Sequence, residues 1–287
     1  MSDYKIITDS CCDFTRQQYA DLDLIRVPLT LLYKGTEHES FTEAQDLHAF
    51  YDGIRGGEMP TTSAVNPDGW ARMMEPVLEE GRDVLCLTFT SALSTTHQSA
   101  VIAAEELREK YPQRKILVVD TLCAALGQGL LVYLACQKRD QGLSLEELHG
   151  WVEETKLHIC HWVTVDDLNH LKRGGRVSAT TAFVGGMLGI KPIIRVSDEG
   201  RLETFSKCRG RKAAMEYLAN KLCEDGTDTQ TIFIAHGDCP EDAAALEKLC
   251  RAKCPGVKNV ITGYVGGVIG AHTGPGVLVV FFLGKHR

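Results

Sequence analysis

Val84-Leu85-Cys86-Leu87-Thr88-Phe89 carries no charge, and at Thr90-Ser91-Ala92-Leu93-Ser94-Thr95-Thr96 it gives way to a run of hydroxyls. A short apolar run of this kind reads as a buried strand, and the hydroxyl run after it as a polar loop leading into a helix to about Tyr111. The next apolar run, Lys115 to Val119, stops at Asp120-Thr121. Strand, crossover helix, strand is the unit of a parallel sheet. The alternation continues on either side. Tyr4 to Ile7 reads as a first strand ending at Thr8-Asp9-Ser10. Leu24 to Tyr33 reads as extended, with Pro28 confining it to an edge and Lys34-Gly35 turning it. Asn66-Pro67 opens a helix, with the amide at the N-cap and proline at the first helical position. Ser40-Phe41-Thr42-Glu43 and Ser144-Leu145-Glu146-Glu147 read as capping boxes, for helices reaching about Arg55 and Lys156.

The pattern changes near residue 158. His158 to Val165 reads as a strand, and Leu171 to Arg176 as a basic turn broken by Gly174-Gly175. Ile190 to Val196 and Leu202 to Phe205 read as a hairpin around Asp198-Glu199-Gly200. Thr231 to Ala235 and Val257 to Tyr264 are strands flanking a helix, and Val277 to Leu283 is a last strand. Hairpins mixed with helices predict a mixed sheet. The expected fold is therefore α/β with two domains. Residues 1–158 form a three-layer domain around a mainly parallel sheet, and residues 159–287 form an α/β domain around a mixed one.

The 287 residues include 31 basic and 38 acidic side chains, a formal charge of -7. A protein that grips nucleic acid through phosphates carries a basic excess, so no nucleic-acid partner is expected. No apolar stretch approaches the ~20 residues that span a bilayer, and the start of the chain does not read as a signal peptide. A cytoplasmic protein is expected. The 11 cysteines are an odd number, scattered and without a Cys-x-x-Cys pair, so they read as free thiols rather than a disulfide framework. His158-Ile159-Cys160-His161 puts two ligand types on one strand face, but buried thiols account for it better than a metal. No metal or cofactor is expected.

Four segments are rich in hydroxyls, glycine or histidine: Thr8-Asp9-Ser10, Pro60-Thr61-Thr62-Ser63, Thr90 to Thr96, and Gly270-Ala271-His272-Thr273-Gly274-Pro275-Gly276. In an open α/β sheet, ligands bind outside the carboxyl ends of the strands. Hydroxyl donors beside helix N-termini there suit a carboxylate or phosphate.

Taken together these motifs resemble the DegV family of bacterial fatty-acid-binding proteins, which includes the lipid-carrying subunit of fatty acid kinase. Ile7-Thr8-Asp9-Ser10 and Val27-Pro28-Leu29-Thr30 match its opening elements, and Pro60 to Ser63 its proline-threonine-serine loop. Ser91 to Ala100 parallels its serine-glycine-leucine-serine-glycine-threonine segment. Leu171 to Val177, Ile190-Lys191-Pro192-Ile193, His236-Gly237-Asp238 and Ile269 to Gly276 come next in order, so the resemblance covers the whole chain. Ala92 and Thr95 stand where the family commonly has glycine, which stiffens the loop carrying Ser94. Cys123 stands where serine is commoner.

The resemblance implies one long-chain fatty acid, such as palmitate, stearate or oleate, in an apolar tunnel between the domains. Thr62 and Ser94 would hold its carboxylate, with Thr61 and Ser63 as register alternatives and His272 and Thr273 approaching from the other domain. A tail of ~15 methylenes at ~0.8 kcal/mol each offers ~12 kcal/mol of transfer free energy, from which association and chain ordering subtract several. The chain would then be a non-catalytic carrier, presenting the lipid to a separate kinase for acyl phosphate formation. Arg173, Arg176 and Arg209, with Lys172, Arg195, Lys207, Arg211 and Lys212, would form a basic rim for docking that kinase and for transient contact with a membrane surface. Two other functions fit the residues less well. One is a serine hydrolase of acyl esters built from Ser94, His272 and Asp9, although the chain lacks a Gly-x-Ser-x-Gly elbow. The other is a binder of a small phosphorylated metabolite.

Overall fold

The computed structural model describes residues 3–177 and 189–287. The first part of the chain runs β1 (Tyr4–Asp9), α1 (Arg16–Asp21), β2 (Ile25–Val27), β3 (Thr30–Tyr33), β4 (Thr36–Glu39), α2 (Ala44–Arg55), β5 (Thr61–Ser63), α3 (Pro67–Glu79), β6 (Asp83–Thr88), α4 (Thr96–Lys110), β7 (Ile116–Asp120), α5 (Leu126–Asp140) and α6 (Leu145–Thr155). The second runs β8 (Ile159–Thr164), α7 (Asn169–Arg173), β9 (Ile190–Val196), β10 (Leu202–Arg209), α8 (Arg211–Asp225), β11 (Gly226–His236), α9 (Pro240–Lys253), β12 (Asn259–Tyr264), α10 (Gly267–Thr273) and β13 (Leu278–Gly284).

The fold is α/β with a parallel sheet and a mixed sheet. The parallel sheet has the order β2-β1-β6-β7, and the mixed sheet the order β10-β9-β8-β13-β11-β12. Within the mixed sheet β11 and β12 run parallel, and the other neighbours are antiparallel. A third, small antiparallel sheet, β4-β3-β5, comes from the first part of the chain. Pro28 explains it. With no amide to donate, proline ends β2 at the edge of the parallel sheet, and the strand that resumes at Thr30 pairs elsewhere.

Three sequence expectations about helix starts have different outcomes. Asn66 caps α3 by accepting from the Gly69 amide, and Ser144 forms a full capping box with Glu147. Ser40 does not cap α2: that helix begins after Glu43, which makes no side-chain cap bond. The Glu43 carboxylate accepts instead from the Arg16 amide. Three further corrections concern segment type. Pro60 to Ser63 contains strand β5, His272 and Thr273 end helix α10, and Leu171 to Arg173 lie in helix α7 before the Gly174-Gly175 turn.

Helix α5 lies in a stretch where the sequence pattern predicts no element. It is buried on nearly every side, from Leu126 to Arg139. One side meets the parallel sheet, where Gln128 Nε2 donates to Thr8 Oγ1 at 3.1 Å. The other meets β8, β11 and β13. As a result one apolar core joins Ile6, Leu85 and Leu87 to Ile194, Phe233 and Phe281.

Candidate functional site

Order in the parallel sheet reverses at β1: β2 lies to one side of it, and β6 and β7 to the other. Ligand crevices form at such a reversal, outside the carboxyl ends of the strands. The Thr90 to Thr95 loop leaves β6 there. Between it and the mixed sheet is a cavity of about 430 Å³. Most of its wall is Ala, Val, Leu, Ile and Phe, from Leu29, Phe89 and Ala125 on one side to Ile194, Val279 and Phe281 on the other. The polar exceptions are Thr62, Ser91, Ser94, Thr95, Thr273, His161, Arg176 and His272.

Thr62 enters the wall through strand register. It pairs with fully buried Leu31 across β3, and side chains alternate faces along a strand. Thr61 and Ser63 therefore take the outer face; both are exposed and neither lines the cavity. His272 sits in the last turn of α10, with Nε2 2.8 Å from Thr62 Oγ1. Its Nδ1 lies against Gly174, so closely that a Cβ there would collide with the ring. Only glycine permits that approach. Burial first, then the charge of Arg176, pull the His272 pKa down to about 4, so the imidazole is neutral at pH 7.

Ser94 both lines the cavity and bonds Thr96, the first residue of α4. Its Oγ is 2.8 Å from Thr96 Oγ1 and accepts from the Thr96 amide. Thr273 lines the wall too, although its hydroxyl donates back to Ile269 O at 3.2 Å.

Arg176 stands elsewhere than the docking rim suggested by the sequence. It lines the cavity, with Nε donating to Leu93 O at 3.2 Å and Nη1 to Gly174 O. It is the cavity's cation among the described residues, and it stands beside Ser94 and His272. No local signal in the sequence marks it, although its neighbour Val177 is buried. Arg173 and Arg209 are exposed, Arg173 donating to His170 Nδ1 at 2.8 Å. Other members of the basic set are paired within the chain, Arg195 with Glu203 and Arg211 with Asp242.

His161 was also missed as a wall residue. The Ala124 amide donates to Nε2 at 3.2 Å, and Nδ1 donates to Ile159 O at 2.9 Å. Burial, reinforced by Arg287, drives its pKa down to about 3. Both ring nitrogens are thus engaged within the chain. Cys160 Sγ contacts the carbonyls of His158 and His286, and His158 lies in the turn before β8. All 11 cysteines are free. Elsewhere, ligand atoms of His48, Asp52 and Asp238 lie within 4.8 Å of one another. Arg55 occupies that position, with Nη1 2.8 Å from Asp52 Oδ1 and 2.5 Å from Asp238 Oδ2.

The hydrolase arrangement is not assembled by the hydrogen bonds present. The Asp9 carboxylate accepts from the Phe89 amide at 2.6 Å and the Cys11 amide at 3.0 Å, His272 bonds Thr62, and Ser94 bonds Thr96.

A switch-point crevice, an apolar cavity and a small polar cluster at its wall form the kind of arrangement in which small-molecule sites are built. Comparison with known proteins makes this specific. Residues 3–285 match the model of the family described as uncharacterised proteins of the DegV family. The chain belongs to the DegV family. A DegV domain-containing protein of Clostridium perfringens is 46% identical over 290 residues, covering 100% of this chain and 99% of the relative. Among solved structures, a fatty-acid-binding DegV family protein from Thermus thermophilus superposes with a TM-score of 0.88 at 31% identity, covering 98% of this chain and 99% of that one. The fold is also that of the Streptococcus pneumoniae fatty acid kinase B3 protein loaded with linoleic acid, with TM-score 0.85, 24% identity, and coverage of 99% and 100%.

Proposed function

We propose that this protein binds one long-chain fatty acid, the tail filling the apolar cavity between domains 1–158 and 159–287. The carboxylate meets Thr62, Ser94, His272 and Arg176. The observation that carries the reading is the joining of Thr62 to His272, 210 residues apart, at the wall of an otherwise apolar cavity. A neutral imidazole and two hydroxyls supply oriented hydrogen bonds, and Arg176 supplies the opposite charge that a buried carboxylate requires. The Thermus relative's fatty acid binding supports the same reading. A small phosphorylated metabolite would leave most of the apolar wall uncovered.

The protein acts, on this reading, as a non-catalytic carrier that offers its cargo to a separate kinase. Exposed Arg173 and Arg209 serve the kinase contact, with transient contact at a membrane surface for loading. Native mass spectrometry of the protein as purified tests the cargo: an added mass of a C16 to C18 acid is expected, and an empty or metabolite-loaded chain overturns the proposal. Reversing Arg173 and Arg209 to Glu is expected to slow kinase-dependent acyl phosphate formation and leave bound lipid unchanged. Equal loss of lipid would refute the docking role.

A further inference from the structure

Helix α10 comes after β12 of the mixed sheet, yet its amino end is held by residues from the first part of the chain. A helix cannot satisfy its own first amides. Here the Gly267 amide donates to Phe41 O at 3.1 Å and the Val268 amide to Ser40 Oγ at 3.4 Å. Gly266, the N-cap residue, lies against the Asp13 carboxyl so closely that a Cβ on it would fall 2.5 Å from Asp13 Oδ1. Further along, Gly270 packs so closely on Tyr51 that a Cβ would lie 2.5 Å from the phenol oxygen. Tyr51 in turn donates to Val265 O at 2.7 Å.

Asp13 is an unusual anchor for a helix end. It is buried, its backbone is left-handed at φ 55°, and its Oδ2 has no partner among the described residues. Holding an aspartate this way is costly on both counts, desolvation and backbone. Its geometry is over-determined by its surroundings: the Ser10 carbonyl accepts from its amide at 3.3 Å, and Gly266 closes over the carboxylate. The far end of α10 carries His272, about 7.5 Å of helix beyond Gly267.

We propose that Asp13 is a positioning residue for His272, fixing the amino end of α10 so that the helix delivers the imidazole to Thr62. Only the affinity readout rests on the fatty-acid reading. The test uses the full-length chain. In lipid-free Asp13→Ala, an NMR titration of the imidazoles is expected to show His272 moving up from about 4 toward the ordinary histidine value, as the end of α10 shifts and the ring loses the burial that holds it down. His161, on β8, is expected to stay where it is and serves as the control for folding. Fatty-acid affinity is expected to fall about tenfold. Asp13→Asn keeps the shape packed against Gly266 and is expected to restore the wild-type titration; if it behaves like alanine, the packing route is overturned. Where Asp13→Ala does not fold, Ser40→Ala removes only the Val268 cap and is expected to move His272 the same way by less. An unchanged His272 titration in the folded alanine variant overturns the proposal, as does one in Ser40→Ala when Asp13→Ala does not fold. A wild-type chain that takes up no fatty acid would overturn the reading of the cavity and leave the titration test of Asp13 intact.

Discussion

Arg176 concentrates the electrostatics of the cavity in one side chain. Two backbone carbonyls, Leu93 O and Gly174 O, anchor its guanidinium, so it is oriented before any ligand arrives. Hydrogen bonds to charged groups contribute about 1.5–3 kcal/mol. Arg176→Ala is therefore expected to weaken fatty-acid binding by roughly 10- to 100-fold, measured by displacement of a fluorescent acid. Binding as tight as wild type would mean that the carboxylate lies elsewhere. The residue's role was hidden in the sequence by its company. Lys172, Arg173 and Arg176 share one basic run, and nothing in the run says that one of the three turns inward. Thr62, Ser94 and His272 were legible because each sits in a family motif. Their mutual arrangement was not, since a contact across 210 residues leaves no local trace.

At the scale of elements, strand β5 is three residues long and decides which of Thr61, Thr62 and Ser63 faces inward. The three stand as alternatives in sequence. Pairing with β3 resolves them, because a slip of one residue would send Thr62 to solvent. Thr62→Val is expected to lower fatty-acid affinity by about 3- to 10-fold, the worth of one neutral hydrogen bond. Thr61→Val is expected to leave both affinity and stability near wild type. Isothermal binding of the two variants checks the register, and equal losses would refute it. Strands such as β6, with continuous apolar runs, and helices with sharp N-caps, such as α3 and α6, were readable from local pattern. Helix α5 was not: buried almost all round, it has no polar face to give it a 3.6-residue period. Helix α10 was hidden by its glycines, which read as loop residues until Tyr51 and Asp13 are seen packed against them.

The whole molecule carries buried titratable groups of opposite sign. His161 is held near a pKa of about 3, well below the unfolded histidine value of about 6.5. The stability it contributes is complete above about pH 6.5 and is lost as pH falls toward 3. Asp9 works the other way. Burial raises it to about 6 despite amide bonds from Phe89 and Cys11, so its contribution is present below the unfolded carboxylate pKa and lost as pH rises through 6. A comparison of variants separates the two. His161→Gln, relative to wild type, is expected to gain about 1.4 kcal/mol per pH unit as pH drops from 6.5 to 4, read from urea midpoints. A constant difference across that window would mean that His161 is not held neutral.

Helix α5 has one more consequence. Because one flank rests on β1 and the other on β8, β11 and β13, the two sheets share a wall rather than a hinge. Recombining the front of one family member with the back of another would leave that single helix native to one sheet and foreign to the other. Chimeras crossing over near residue 158 should therefore tolerate sequence divergence poorly unless α5 travels with compensating changes in the incoming sheet.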